Sequence, residues 1–186
     1  MIGNWRVLES IGNGGNATVF KVTDNDGNYF ALKRLNTVDE EKRARFNRES
    51  SFIGDYPILS QKQLLLPIID KDLTCEHPYY VMPLAIPLKK ITFDSLQSKC
   101  NAIIDVLEML SQLHKLGIAH RDIKPENILA YNNSFYLSDF GLMFIRDAKR
   151  ITKEADRERI GAKRTIAPEM ERKAGYDADP YKADIY

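Results

Sequence analysis

Cysteine is scarce in this chain. Only Cys75 and Cys100 occur among 186 residues, and neither belongs to a Cys-x-x-Cys pair. A disulfide framework is therefore excluded, and two reduced thiols are expected. Net charge is nearly absent as well: 27 Lys and Arg balance 26 Asp and Glu, leaving +1. Nothing pulls the whole chain toward nucleic acid or an anionic membrane. No basic face interleaved with aromatics supports a nucleic-acid-binding module. No apolar run reaches the roughly 20 residues that a membrane span requires. The opening "MIGNWRVLES" lacks the basic-then-apolar pattern of a signal peptide. Internal repeats and low-complexity linkers are missing too. A soluble cytoplasmic protein, or a soluble domain of a larger one, is the expectation. What is present is ordinary: 44% hydrophobic and 28% charged residues, enough for one good core or two small lobes and too apolar for disorder.

The first third reads as strands. "WRVLESI" (5–11), "TVFKV" (18–22) and "YFALKRL" (29–35) are β-compatible, and "DNDGN" between the last two is a hairpin signal. Together they predict an antiparallel meander. "DEEKRARFNRESSFIGDY" (39–56) spaces Phe46, Phe52 and Ile53 as a helix would. Strand candidates follow at 64–70 and 79–84. Beyond Ala85 the character turns helical. Residues 94–117 form the best helix pattern, with Ile103, Ile104, Leu107, Leu110, Leu113 and His114 at helical spacing and Gly117 as its stop. Two short strands then flank "NNS", and 144–164 is polar, charged and expected to be mobile. The plan is an α+β chain: a β-rich lobe over 1–85 and a mainly helical lobe over 86–186, joined at Met82 to Ala85. Ligands commonly bind between such lobes.

"IGNGGNATVFKV" (11–22) approaches G-x-G-x-x-G-x-V, with Ala17 at the third glycine position. A dinucleotide fingerprint needs strand, glycine loop and helix. Here a strand follows, which suits a loop folded over phosphates from a hairpin; a plain hairpin turn is the alternative. Lys33 lies among alternating apolar residues. It is either a solvated strand lysine or one held for anions by Glu49 of the following helix, which would aim it at nucleotide phosphates.

The segment "IAHRDIKPENILAYNNSFYLSDFGLM" (118–143) carries more. It contains His120, Arg121, Asp122 and Asn127 in H-R-D-x-x-x-x-N, and then Asp139, Phe140 and Gly141 as D-F-G. With the glycine loop and lysine upstream, the chain resembles a eukaryotic-type protein serine/threonine kinase catalytic domain, from Ile11 to Asp184. The resemblance implies the bilobal kinase fold and transfer of the γ-phosphate of ATP to serine or threonine hydroxyls of proteins. Asp122 would be the catalytic base and Lys124 would neutralise the moving phosphate. Asn127 and Asp139 would ligate Mg²⁺. Gly141 would allow an unusual D-F-G backbone. Lys124 in "DIKPEN" favours serine or threonine over tyrosine acceptors.

By the same resemblance, Ile11, Gly12, Asn13, Gly14, Gly15, Asn16 and Ala17 form the nucleotide loop. Val19 and Ala31 would sandwich adenine against Leu129, with Met82 as gatekeeper. The Pro83 carbonyl and Ala85 N–H would be hinge contacts, and proline's missing N–H is tolerable at the first. "IAPEM" supplies Ala167-Pro168-Glu169, which closes an activation segment opened at Asp139. Two departures stand before it: Ala162 replaces a usual threonine, and Thr165 a usual aromatic. Thr152 is a candidate phosphorylation site with Arg121 as receiver, or else an unmodified loop threonine. Asp184 resembles the aspartate that opens the next helix and braces the H-R-D backbone. Family domains continue past it, so a truncated C-lobe is expected. Glu169 would then lack its arginine, at roughly 3–5 kcal/mol. The uncovered surface would favour self-association or domain exchange, and the fragment itself would be inactive or impaired. Two rivals remain. One is a pseudokinase scaffold that binds nucleotide without phosphotransfer, kept alive by Ala17 and Ala162. The other is a small-molecule kinase, against which Arg121 and Ala167–Glu169 speak.

Overall fold

A computed structural model describes residues 1–55, 64–146, 168 and 179–185, with 54 and 55 as backbone alone. It divides into two compact units, Met1–Ala85 and Ile86–Tyr186.

The first unit is built on a five-stranded antiparallel sheet. β1 (Arg6–Asn13), β2 (Ala17–Thr23) and β3 (Tyr29–Leu35) form a meander. β5 (Tyr79–Pro83) pairs with β3, and β4 (Asp70–Asp72) lies at the edge, giving the order β1-β2-β3-β5-β4. The β2–β3 turn is fixed by Asp24. Its carboxylate accepts from the Asn28 side chain and from the N–H groups of Asp26 and Asn28. These bonds, the Asn28 amide foremost, hold its carboxyl below the usual carboxylate range. Gly27 follows at φ 86°, where a side chain would be strained.

Strand alternation sorts the core into two layers. Trp5, Val22, Leu32, Tyr79 and Val81 pack on one side. Leu35, Phe46 and Tyr80 pack on the other, where Phe46 arrives on α1 (Glu40–Asp55). Each such large apolar side chain contributes roughly 1.5–3 kcal/mol on burial. Asp39 starts α1: its carboxylate accepts from Lys42 N–H and its carbonyl from Arg43 N–H. Glu40 and Glu41 then suit the positive end of the helix. The strand expected over 64–70 is not formed; within it only Leu65 makes a bridge, and the edge strand starts at Asp70. Pro67, which has no N–H to donate, stands at its middle.

In the second unit, α2 (Leu96–Lys115) is entered through a capping box, Ser95 and Ser98 each bonding the other's N–H. It stops where Gly117 turns left-handed at φ 76°. Its buried stripe is Ala102, Val106, Met109, Leu110 and Leu113. Of the residues at helical spacing, Leu110 and Leu113 are buried, whereas Ile103, Ile104 and Leu107 are 58%, 50% and 47% exposed. Two apolar stripes compete on this helix, and the one carrying small Ala102 and flexible Met109 faces the core. β6 (Ile86–Pro87), β8 (Ile128–Tyr131) and β9 (Ser134–Leu137) form one small sheet. β7 (Ile118–Ala119) and β10 (Phe144–Ile145) form another. Asn132 and Asn133 both have positive φ, 48° and 60°, and make the two-residue turn from β8 to β9. A one-turn helix, α3 (Pro180–Ala183), carries Asp184 at its end.

Candidate functional site

Two clusters of charged and polar groups stand out, one in each unit. In the first, the β1–β2 connection is a short closed turn. Gly14 N–H donates to the Ala17 carbonyl at 2.9 Å. Thr18 Oγ1 donates to Asn13 Oδ1, and Asn36 Nδ2 to Thr18 Oγ1. Asn36 N–H also donates to the Asn16 carbonyl. Ile11, Gly12 and Asn13 end β1, Gly14, Gly15 and Asn16 make the turn, and Ala17 and Val19 open β2. A methyl at Gly15 would meet nothing within 4 Å, whereas at Gly14 it would lie 3.4 Å from the Ala17 carbonyl. The turn therefore presents a bare backbone at its tip, the surface a phosphate needs for close approach.

Lys33 sits directly across from Val19 on one side and Tyr80 on the other. Its ammonium reaches both carboxylate oxygens of Glu49, at 3.0 and 2.9 Å. Glu49 is buried on α1 and also accepts from the Tyr80 hydroxyl at 3.0 Å. Tyr80 is a site residue that the local sequence pattern does not mark. Its signal is cross-strand: the residue opposite Lys33 on the neighbouring strand shares its face. Ala31 is buried opposite Met82, and Pro83 closes β5 with Ala85 just beyond.

The second cluster lies on the loop from β7 to β8. Asp122 is buried. Its Oδ2 accepts from Lys124 Nζ at 2.6 Å and from Asn127 Nδ2 at 2.9 Å. Its Oδ1 is buried and has no hydrogen-bond partner among the described residues. Asn127 Nδ2 also donates to the Asp122 carbonyl, and the Asn127 carbonyl accepts from Ser138 N–H and Oγ. The side-chain amide is thereby oriented with Nδ2 toward Asp122. Leu129 is buried two residues on, in β8.

The loop is braced from behind. Asp184 accepts from the N–H groups of His120 at 2.8 Å and Arg121 at 2.5 Å. Its Oδ2 also pairs with His114 Nε2 at 2.8 Å. His120 is fully buried; Nε2 faces the Ser138 carbonyl and Nδ1 accepts from Asp122 N–H. These two bonds specify the neutral ring with its proton on Nε2. Arg121 stands at φ 64°, its Nε donating to the Leu142 carbonyl at 2.6 Å. Nothing in the sequence alone marks His114 or Ser138 as functional. Asp139 opens a 3-10 turn over Phe140–Leu142 with φ 65° and ψ 62°. Within the triplet the left-handed residue is Asp139, and the φ of Gly141 is not positive. An aspartate tolerates that region better than most residues. Thr152, Ala162, Thr165, Ala167 and Glu169 lie outside the described residues.

A lysine–glutamate pair beside a glycine turn, and a braced H-R-D loop followed by D-F-G, define a protein kinase domain. The family model described as "Protein kinase domain" matches residues 5–186, and the chain belongs to that family. It is 30% identical over 193 residues to a probable serine/threonine-protein kinase of Clostridium acetobutylicum, covering 98% of this chain and 28% of that protein. To the serine/threonine-protein kinase PknL of Mycobacterium tuberculosis it is 29% identical over 191 residues, covering 97% of this chain and 46% of that one. The chain thus spans less than half the length of these relatives. The fold matches a crystal structure of a kinase domain with a TM-score of 0.78 at 17% identity, over 100% of this chain and 62% of the other. Among the described residues no helix is long and apolar enough to cross a membrane.

Proposed function

We propose that this chain transfers the γ-phosphoryl group of ATP to serine or threonine hydroxyls of a protein substrate, assisted by Mg²⁺. The observation that carries the reading is Asp122. One of its oxygens is tied to Lys124 and Asn127, and the other is buried and unpartnered among the described residues. A carboxylate so arranged can take one more hydrogen bond, from an attacking hydroxyl. Asp122 Oδ1 accepts that proton while the hydroxyl oxygen bonds to the γ-phosphorus. The bond to the β-phosphate oxygen breaks and ADP leaves. Lys124 stays beside Asp122 and offsets the charge of the moving group. Lys33, held at both Glu49 oxygens, binds α- and β-phosphate oxygens, and the bare backbone at Gly14–Gly15 covers the phosphates.

The metal donor set fits. Asn127 Oδ1 and the Asp139 carboxylate are hard oxygens, and Mg²⁺ takes one or two carboxylates with phosphates and waters. When bound, Mg²⁺ supplies neutralisation of phosphate charge. Adenine packing by Val19, Ala31 and Met82, and hinge contacts at Pro83 and Ala85, belong to the same proposal. The serine/threonine acceptor class rests on Lys124 and on the names of the two bacterial relatives.

The test is transfer of radiolabelled phosphate from ATP to a generic basic protein substrate by the full-length protein, with Asp122→Ala beside the native sequence. Mg-dependent labelling that disappears in the variant is expected. Nucleotide binding without transfer by the native chain would replace this reading with a scaffold role.

A further inference from the structure

We infer that Arg43 is a positioning residue for phosphoryl transfer, fastening α1 to the β4–β5 turn and so fixing Glu49 on Lys33. The inference rests on the reading of Lys33 and Glu49 as part of the phosphotransfer machinery.

The guanidinium of Arg43 meets four consecutive backbone carbonyls. Nη1 donates to Glu76 O at 3.1 Å. Nη2 lies 3.0, 3.2 and 2.7 Å from the carbonyls of Leu73, Thr74 and Cys75. Four oxygens converging on one side chain make a concave patch of negative partial charge. A planar fork with five donors fills such a patch, and a single ammonium cannot satisfy it equally.

The turn that offers these carbonyls is built independently of Arg43. Asp72 Oδ1 accepts from Thr74 N–H and Oγ1 at 2.8 and 2.7 Å, and from Cys75 N–H at 3.2 Å. With its N–H groups satisfied inward, the turn points its carbonyls at the helix. The turn is also short and joined to β5, the strand that carries Tyr80.

Spacing links this anchor to the chemistry. Arg43, Phe46 and Glu49 recur every three residues, so each neighbours the next along a stripe that winds around α1. Phe46 packs against Tyr80 as a tilted ring pair with centroids 5.3 Å apart, and Tyr80 bonds Glu49. The stripe is thus pinned at three successive heights: a guanidinium on a turn, a ring on a ring, and a carboxylate on Lys33. The carboxylate bonds Lys33 directly, and the Phe46 ring lies 6.0 Å from the same ammonium. Releasing the first lets the N-terminal half of α1 pivot about Phe46. A displacement near 1 Å removes the 2.9–3.0 Å geometry at Glu49, and misplacement of that size costs up to about a hundred-fold in rate.

The experiment is a double-mutant cycle on the full chain, reading kcat and KM for ATP. Arg43→Ala should lower kcat/KM by roughly ten-fold, and Arg43→Lys should recover part of that. In a Glu49→Gln background, Arg43→Ala should add little further loss. Equal losses in both backgrounds would show that Arg43 acts only on general stability and would overturn the inference; so would unchanged kinetics in Arg43→Ala. If Arg43→Ala does not fold, Arg43→Lys takes its place in the same cycle, and the same two outcomes decide. Lys33→Met serves as the control. Full activity in Lys33→Met would sink the reading of the lysine itself, whereas loss there with no effect at Arg43 would sink the anchor alone.

Discussion

The lysine cluster and the aspartate cluster hold their charges by different means. In the first unit, Glu49 reaches Lys33 from a helix secured by side chains: a ring contact, a phenol hydroxyl and a guanidinium on a turn. In the second, Asp122 sits on a loop whose own backbone is bound. Asp184 takes two successive N–H groups, His120 a third, and Ser138 both donates to the Asn127 carbonyl and accepts from His120. A side-chain tether can be loosened one bond at a time. A backbone brace cannot, because each bond removed leaves a buried N–H unsatisfied, at about 1–3 kcal/mol. The aspartate cluster should therefore fail as a unit, and the lysine cluster by degrees.

That contrast is sharpest at Asp122 itself. Asp122→Asn keeps the shape and the contact with Lys124 but removes the proton acceptor. Phosphoryl transfer should fall by about a thousand-fold, within the range general bases supply, while nucleotide affinity changes little. Steady-state labelling and a nucleotide-binding titration measure the two separately. A variant with more than a tenth of native turnover would break the assignment of the base.

Asp184→Ala asks whether the brace is all-or-none. It leaves the N–H groups of His120 and Arg121 without their acceptor and His114 without its partner. A loss of roughly 3 kcal/mol in stability follows from two orphaned donors, one buried and one partly buried, a large share of the roughly 5–15 kcal/mol typical of a domain. The urea midpoint by circular dichroism should drop accordingly, and activity should fall with it although Asp184 touches no reacting group. A variant that unfolds like the native chain would show that the brace is redundant.

Tyr80→Phe tests the opposite side. It removes the hydroxyl that donates to the Glu49 carboxylate and leaves Lys33 and the Phe46 contact in place. A cost of about 1 kcal/mol is expected, seen as a few-fold rise in KM for ATP with kcat nearly kept. A collapse of activity as deep as that of Asp122→Asn would erase the distinction between the clusters.

How much of this is legible in the sequence follows the same line. Groups close in sequence read directly, as with Asp122, Lys124 and Asn127 on one loop. Lys33 and Glu49 pair across sixteen residues because strand and helix patterns are both clear. Tyr80 stays invisible because its role depends on the register of β3 against β5, which no local pattern records. Asp184 shows through family likeness, but its bond to His114 spans seventy residues. The buried face of α2 is not legible because two apolar stripes compete on one helix, and periodicity alone does not rank them. Gly141 draws attention as a glycine, yet the backbone places the left-handed conformation on Asp139.

Ala17 gives the smallest predicted effect and the most direct test of that last lesson. A missing third glycine looks like a defect if the position needs an absent Cβ. The structure shows what the position supplies: the Ala17 carbonyl accepts from Gly14 N–H, and the residue pairs as a strand member opposite Leu35. Both roles belong to the backbone, and a methyl interferes with neither. Ala17→Gly should therefore cost about 0.5–1 kcal/mol of stability through added freedom in the unfolded chain. ATP affinity should stay within a few-fold of native. Calorimetric titration with ATP and a thermal melt measure the two effects. A ten-fold gain in affinity would mean that the methyl obstructs the turn, and would make the glycine count, rather than the carbonyl, the feature that matters there.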